Sequence, residues 1–180
     1  MTCIVGIEYN GNIYMGGDSA GSNGWSISTQ VSPKIFKVGE LLIGYTSSFR
    51  MGQLLQYQLE IEAQEQGSNE EYMIKVFAET ARSLFKEYGY SKIEKNEEEG
   101  GRFLVGYRGE LYLVQSDFSV LRTIDRFNSV GCGAAYALGA LKILDLSDPE
   151  VALTKALESA AYFSTGVRGP FHFLKSLYLT

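Results

Sequence analysis

The sequence predicts an α+β fold in four layers: an αββα sandwich of two stacked antiparallel sheets, each covered on its outer face by a pair of helices. Three observations carry this. Strand-like runs arrive in hairpin blocks, which favours antiparallel sheets over alternating βαβ units. Helical patterning arrives in two pairs, one between the strand blocks and one near the end of the chain. The apolar fraction of the 180 residues is 45%, enough to fill a core on several sheet faces. No linker or internal repeat divides the sequence, so residues 1–180 are expected to form one domain.

Cys3 to Tyr9 reads as a strand, and Asn10-Gly11 supplies a tight turn that tolerates positive φ. Ile13-Tyr14-Met15 returns and runs into Gly16-Gly17-Asp18-Ser19. Residues 20–30 are polar and Gly-rich and predict a loop. Residues 34–38 and 41–45 are two short apolar runs around the turn Gly39-Glu40. From about Ser48 to Gln66 the pattern is helical, with Met51, Leu54, Leu55, Leu59 and Ile61 on one face. A second helix fits about 69–88, burying Ile74, Phe77, Ala78, Ala81, Leu84 and Phe85. Residues 89–101 read as a charged connection, with the acidic stretch from Glu94 to Glu99 solvated. A second hairpin follows, with strands 103–107 and 111–114 around Arg108-Gly109. One or two short strands fall within 118–130. Ala134 to Leu144 is helical, and Asp148-Pro149-Glu150 opens another helix with Pro at its first position, reaching about Phe163. Phe171 to Tyr178 predicts a last strand.

Composition excludes several function classes. A net charge of −5 and a pI near 5.0 argue against an electrostatic nucleic-acid partner. Cys3 and Cys132 are the only cysteines and neither lies in a CxxC pattern, so no disulfide framework, zinc site or other metal site is expected. The single histidine, His172, reads as a packed strand residue, and no nucleophile elbow accompanies it. No apolar run approaches the roughly 18 residues of a membrane span. The sequence opens without a signal peptide, and with two unpaired cysteines this leads to the expectation of a cytoplasmic protein.

The residue with the most chemistry is Thr2, directly behind Met1. With Met1 removed, Thr2 is a secondary alcohol beside a free α-amine. That amine, with an ordinary pKa of roughly 7.7–8.0, can accept the hydroxyl proton without a histidine. Asp18 and Lys34 follow at intervals of sixteen residues. A lysine ammonium near the hydroxyl favours the alkoxide, and a carboxylate holds that lysine charged and oriented.

The element order and these residues together resemble the N-terminal-nucleophile hydrolases, in particular proteasome β-subunits and the bacterial heat-shock-locus peptidase. Thr2-Cys3-Ile4-Val5 resembles the mature N-terminus of that family. Gly17-Asp18-Ser19 resembles its acidic strand end, and Val31-Ser32-Pro33-Lys34-Ile35 its lysine segment. Ser129 to Ala137 resembles its Gly-Ser-Gly motif before a helix. The resemblance implies Thr2, Asp18 and Lys34 as catalytic residues and no cofactor. It implies Ser22, Ser47 and Tyr45 on the oxyanion and substrate side, and Cys132 and Thr165 in support.

The chain departs from the family pattern at three places. Ser47-Ser48 stands where the family has Gly-Gly, and Cys132 where it usually has Ser. Tyr162-Phe163-Ser164-Thr165-Gly166 stands where it has Asp-x-x-Ser-Gly, so that Tyr162 replaces a carboxylate. Two functions are therefore expected from the resemblance. One is a self-compartmentalising threonine peptidase acting on polypeptides. The other is a catalytically degenerate homologue that serves as a ring-forming scaffold. Both imply self-association in stacked six- or seven-membered rings, the first with an AAA+ ATPase unfoldase, and neither a nucleic acid nor a membrane.

Overall fold

A computed structural model describes residues 1–94 and 97–176. The first sheet contains β1 (Cys3–Tyr9), β2 (Asn12–Gly17), β12 (Phe127–Gly131) and β13 (His172–Ser176), in the order β12-β1-β2-β13. The second contains β5 (Ile35–Val38), β6 (Leu41–Tyr45), β9 (Phe103–Tyr107), β10 (Glu110–Val114) and β11 (Val120–Leu121), in the order β11-β10-β9-β6-β5. Two small hairpins pair β3 (Ala20–Ser22) with β4 (Ile27–Thr29) and β7 (Lys92–Glu94) with β8 (Glu97–Glu99). Every pairing is antiparallel. The helices are α1 (Phe49–Tyr57), α2 (Asn69–Tyr72), α3 (Ala78–Glu87), α4 (Ala134–Ile143) and α5 (Pro149–Phe163), with a π-helical turn, Met73–Phe77, joining α2 to α3.

The period of two in each strand sorts side chains into three core layers. On β1, Cys3, Val5 and Ile7 join Ala137, Leu141, Leu153 and Leu157 of α4 and α5 in one cluster. Ile4 points the other way, into the space between the sheets, with Ile13, Met15, Leu42 and Leu104. On β6 and β9, Leu41, Ile43, Phe103 and Val105 face Met51, Leu54, Phe77 and Phe85 of the other helices. The molecule is thus an αββα sandwich. Gly44 sets how closely the sheets approach, since a Cβ there would lie 2.5 Å from Ile4 Cγ2 and 2.6 Å from Met15 Sδ.

Four expectations need correction. The helix predicted over 48–66 ends at Tyr57. Leu59 and Ile61, two residues apart, both pack on the core, which an extended segment allows and a helix, placing them on opposite sides, does not. The 69–88 helix contains the π turn, so Met73 is buried and Ile74 is 47% exposed. In the wider π turn the residue beneath Phe77 lies four back rather than three. The predicted 20–30 loop contains the β3–β4 hairpin, whose turn is held by Asn23 Oδ1 accepting from the backbone N–H groups of Trp25 and Ser26. The charged connection contains β7–β8. Lys95 and Asn96, within the expected solvated stretch, and Leu177 and Tyr178 of the expected last strand lie outside the described residues.

Helix ends follow their capping chemistry. Ser48 and Ser68 accept from Arg50 N and Glu71 N, and Asp148 accepts from Val151 N, each supplying one of the acceptors a helix start lacks.

Candidate active site

Strand registers bring four distant residues to one edge of the sandwich. Asn10 and Gly11 take φ 48° and 70°, the positive pair that a two-residue hairpin needs. The register that follows puts Ile4 opposite Gly17, so Thr2 and Asp18 lie at the same end of the β1–β2 hairpin. β12 pairs Cys3 with Gly131, which brings Cys132 beside Thr2. Gly131, at φ 104°, lies so close to the Thr2 carbonyl that no Cβ fits there. Lys34 precedes β5 in the other sheet, and its carbonyl accepts from Tyr45 N at 3.0 Å.

Lys34 Nζ bridges the two sheets. It donates to Thr2 Oγ1 at 2.9 Å and to Asp18 Oδ1 at 2.8 Å. Thr2 is 5% exposed, Asp18 0% and Lys34 1%. Asp18 is held from four directions: Oδ1 also accepts from Cys3 N at 3.0 Å, and Oδ2 from Ala20 N at 2.9 Å and Arg168 N at 3.4 Å. Burial pushes the Lys34 ammonium below the usual lysine range, while the Asp18 charge and hydrogen bond oppose that shift. The Thr2 hydroxyl donates to the Met1 carbonyl, so its lone pairs face Lys34.

These residues open on a cleft of about 330 Å³ lined by Met1, Thr2, Lys34, Ser22, Tyr45 and Thr46 to Arg50. Tyr45 packs on Gly52 of α1 and lies between Phe36 and Phe49, with ring centroids 6.2 and 6.4 Å away. Burial, with a smaller contribution from Asp18, pushes its phenol to about 12. Ser47 takes φ 66°, a left-handed conformation glycine adopts freely and that costs other residues about 1–2 kcal/mol. Ser22 also lines the cleft and accepts from Gly24 N at 3.2 Å. A larger hollow of about 560 Å³, between residues 62–66 and 71–76, holds none of this chemistry.

On the nitrogen side of Thr2 the partner is sulfur. Thr2 N donates to Cys132 Sγ at 3.3 Å, and Cys132 donates to the Thr2 carbonyl at 3.5 Å. Ser164 Oγ donates to the same sulfur at 3.3 Å. Thr165 is exposed and Tyr162 is 84% exposed, its ring edge-on to Phe163 at 4.9 Å. Of the two hydroxyls after α5, it is Ser164 Oγ and not that of Thr165 that meets the Cys132 sulfur. α5 ends at Phe163 and Ser164 is its C-cap, with an extended backbone and its N–H on the Ala160 carbonyl. Among the described residues, no group of three or more His, Cys, Asp and Glu could hold a metal ion, and no helix is long and apolar enough to cross a membrane.

Residues 1–162 match the proteasome subunit family. The chain belongs to that family. Its fold is similar to that of BPH from Thiobacillus denitrificans, with a TM-score of 0.83 at 19% identity over 97% of each chain. It is also similar to eukaryotic HslV from Trypanosoma brucei, with a TM-score of 0.70 at 17% identity over 97% of this chain and 98% of that one. Anbu, the ancestral β-subunit from Yersinia bercovieri, gives 0.71 at 15% identity, covering 97% of this chain and 81% of its own. At such identities the likeness is one of fold. Within the family frame, the Thr2, Asp18 and Lys34 side chains meet, whereas Tyr162 and Thr165 do not reach them.

Proposed function

We propose that this proteasome-family chain is a threonine peptidase whose nucleophile is Thr2, exposed by removal of Met1. The observation that carries the reading is the buried Lys34 ammonium set between Thr2 Oγ1 and Asp18 Oδ1. With Met1 present the nitrogen of Thr2 is an amide and no base. Once Met1 is gone, the α-amine accepts the proton of Oγ1 as the oxygen attacks a peptide carbonyl, a transfer that typically contributes about 10²–10⁴ in rate. Lys34 stabilises the negative charge developing on Oγ1. The N-terminus of α1 and the backbone N–H of Ser47, at the cleft wall, are suited to the oxyanion. The tetrahedral intermediate collapses to an ester on Thr2, and the leaving amine takes the proton from the α-amine. Water then cleaves the ester with the same amine as base. Tyr45 and Ser22 form the walls that meet the substrate side chain.

The substrates are polypeptides, and the assembly is a closed ring of at least six copies, stacked and fed by an AAA+ unfoldase in the cytoplasm. Trp25 is 98%, Val31 95% and Ile124 97% exposed, apolar surface that ring contacts would cover. Light scattering checks this: a stable monomer at micromolar concentration overturns the ring.

The chemistry has its own test. An epoxyketone ring adduct needs both a hydroxyl and a free amine, and BPH from Thiobacillus denitrificans has been solved with epoxomicin. Intact mass establishes whether Met1 is absent, and peptide mapping after epoxomicin treatment is expected to find one adduct on the Thr2 peptide. No adduct on Met1-free protein overturns the reading. One observation favours a second reading, a ring-forming scaffold without activity: Thr2 N meets a thiol rather than a carboxylate. Assembled, Met1-free protein that cleaves no fluorogenic peptide decides for it.

A further inference from the structure

We infer that Ser164 and Cys132 act as a coupled pair that positions the nitrogen of Thr2, standing in for the carboxylate that the family places at Tyr162. The inference rests on the peptidase reading above.

The hydrogen bonds around Cys132 Sγ form a closed account. A thiol has one proton and two acceptor directions. The proton goes to the Thr2 carbonyl at 3.5 Å. One acceptor direction takes the Thr2 N–H at 3.3 Å and the other takes the Ser164 O–H at 3.3 Å. Ser164 Oγ in turn accepts from Gly166 N at 3.4 Å. The chain of donors thus runs from the backbone after α5, through Ser164, to the sulfur, which receives Thr2 N from the other side. Each member fixes the rotor of the next; the N–H on sulfur here is the amide of the Met1–Thr2 peptide, and after Met1 removal an amine N–H in the same direction would be committed to that sulfur. The lone pair of that amine is then confined to the remaining directions, which include that of its own hydroxyl.

Sulfur also tunes the amine. A thiol is a weaker acceptor than a hydroxyl, so it stabilises an ammonium less than serine would. The Ser164 O–H directs its positive end toward the same sulfur and acts in the same sense. Both favour the neutral amine, the form a base needs. No carboxylate takes part. Tyr162 points into solvent, and Asp18 is committed to Lys34 and three backbone N–H groups.

The test uses full-length chain released from an N-terminal fusion cut directly before Thr2, as wild type and as Ser164→Ala, Cys132→Ala and Cys132→Ser. Peptide cleavage by either alanine variant is expected to fall about three- to ten-fold in kcat with KM unchanged, the scale of one net hydrogen bond. Cys132→Ser is expected to keep kcat within about two-fold at the optimum and to move the acid limb of the pH profile to higher pH. A second readout needs no turnover: the pH dependence of N-terminal acylation by acetic anhydride, followed by mass spectrometry. The Thr2 amine is expected to titrate at higher pH in Cys132→Ser and Ser164→Ala than in wild type. Identical amine titration in all the variants overturns the pair, whatever the activity. A titration that shifts as expected in protein that cleaves nothing leaves the pair standing and overturns the peptidase reading instead.

Discussion

The two sides of Thr2 are built on opposite principles. Its hydroxyl faces a buried ion pair in which Asp18 accepts four hydrogen bonds and is 0% exposed. Its nitrogen faces an exposed thiol through long, weak contacts. Charge buried in a low-dielectric interior tolerates almost no loss of a partner, whereas neutral contacts at the surface are replaceable by water. Of the three departures from the family pattern expected from the sequence, those at Cys132 and at Tyr162 to Gly166 fall on the tolerant side, while Ser47-Ser48 lines the cleft on the hydroxyl side without touching the buried pair of Asp18 and Lys34.

That contrast can be broken by experiment. Asp18→Ala leaves Lys34 buried with only the Thr2 hydroxyl and is expected to cost about 3–5 kcal/mol, read from urea denaturation. A loss below about 1 kcal/mol would erase the distinction between the two sides. Lys34→Ala is expected to lower peptide cleavage by about 10²–10³. A partly solvated Lys34 would leave folding unaffected by that change, but a cation only 1% exposed makes a stability loss part of the expected result. That loss should be smaller than for Asp18→Ala, since Asp18 keeps three backbone N–H donors. Wild-type cleavage by Lys34→Ala would remove Lys34 from the mechanism.

Gly44→Ala tests whether the hydroxyl side depends on sheet-to-sheet packing, because its Cβ would collide with Ile4 and Met15. Overpacking of this kind costs about 1–3 kcal/mol, and cleavage should fall with it as the sheet carrying Lys34 is pushed from the one carrying Thr2. A variant as stable and active as wild type would show that the interface adjusts freely.

The smallest effect compares the two thiols. Burial, opposed by the Ser129 hydrogen bond, raises Cys3 from 9.0 to about 12. The folded protein therefore keeps that proton over a pH range in which the unfolded chain has lost it. The stability this contributes is fully present below pH 9 and is lost as pH rises toward 12. Iodoacetamide at pH 8 is expected to modify one thiol in the native protein, Cys132, and both in denaturant. Alkylation of Cys3 in the native state would contradict its burial.

Much of the fold was legible because its turns are written in residue type. Asn10-Gly11 and Arg108-Gly109 take the positive φ values their hairpins require, and Pro149 marks the start of α5. The segment after Tyr57 was not legible, because Leu59 and Ile61 satisfy an apolar count for a helix while packing as an extended chain. The π turn was hidden for a related reason: Met73 and Ile74 are equally apolar, and only the core decides which one is buried. At the site, the even spacing of Thr2, Asp18 and Lys34 was visible, and Lys34 lies within hydrogen-bonding distance of the other two. Ser164 was not visible, since its role depends on how the chain turns after α5, where one residue exchanges a buried direction for a solvent one.

The bridge from Lys34 to Thr2 also has a meaning in time. Thr2 leads into β1 of one sheet and Lys34 into β5 of the other, and their side chains meet only where the two sheets press together. A chain that has formed its hairpins but not yet stacked them holds an ordinary alcohol, with its would-be activator elsewhere. If Thr2 is the nucleophile proposed above, its reactivity during refolding would appear after secondary structure and together with the inter-sheet core, so a half-made subunit would carry no blade.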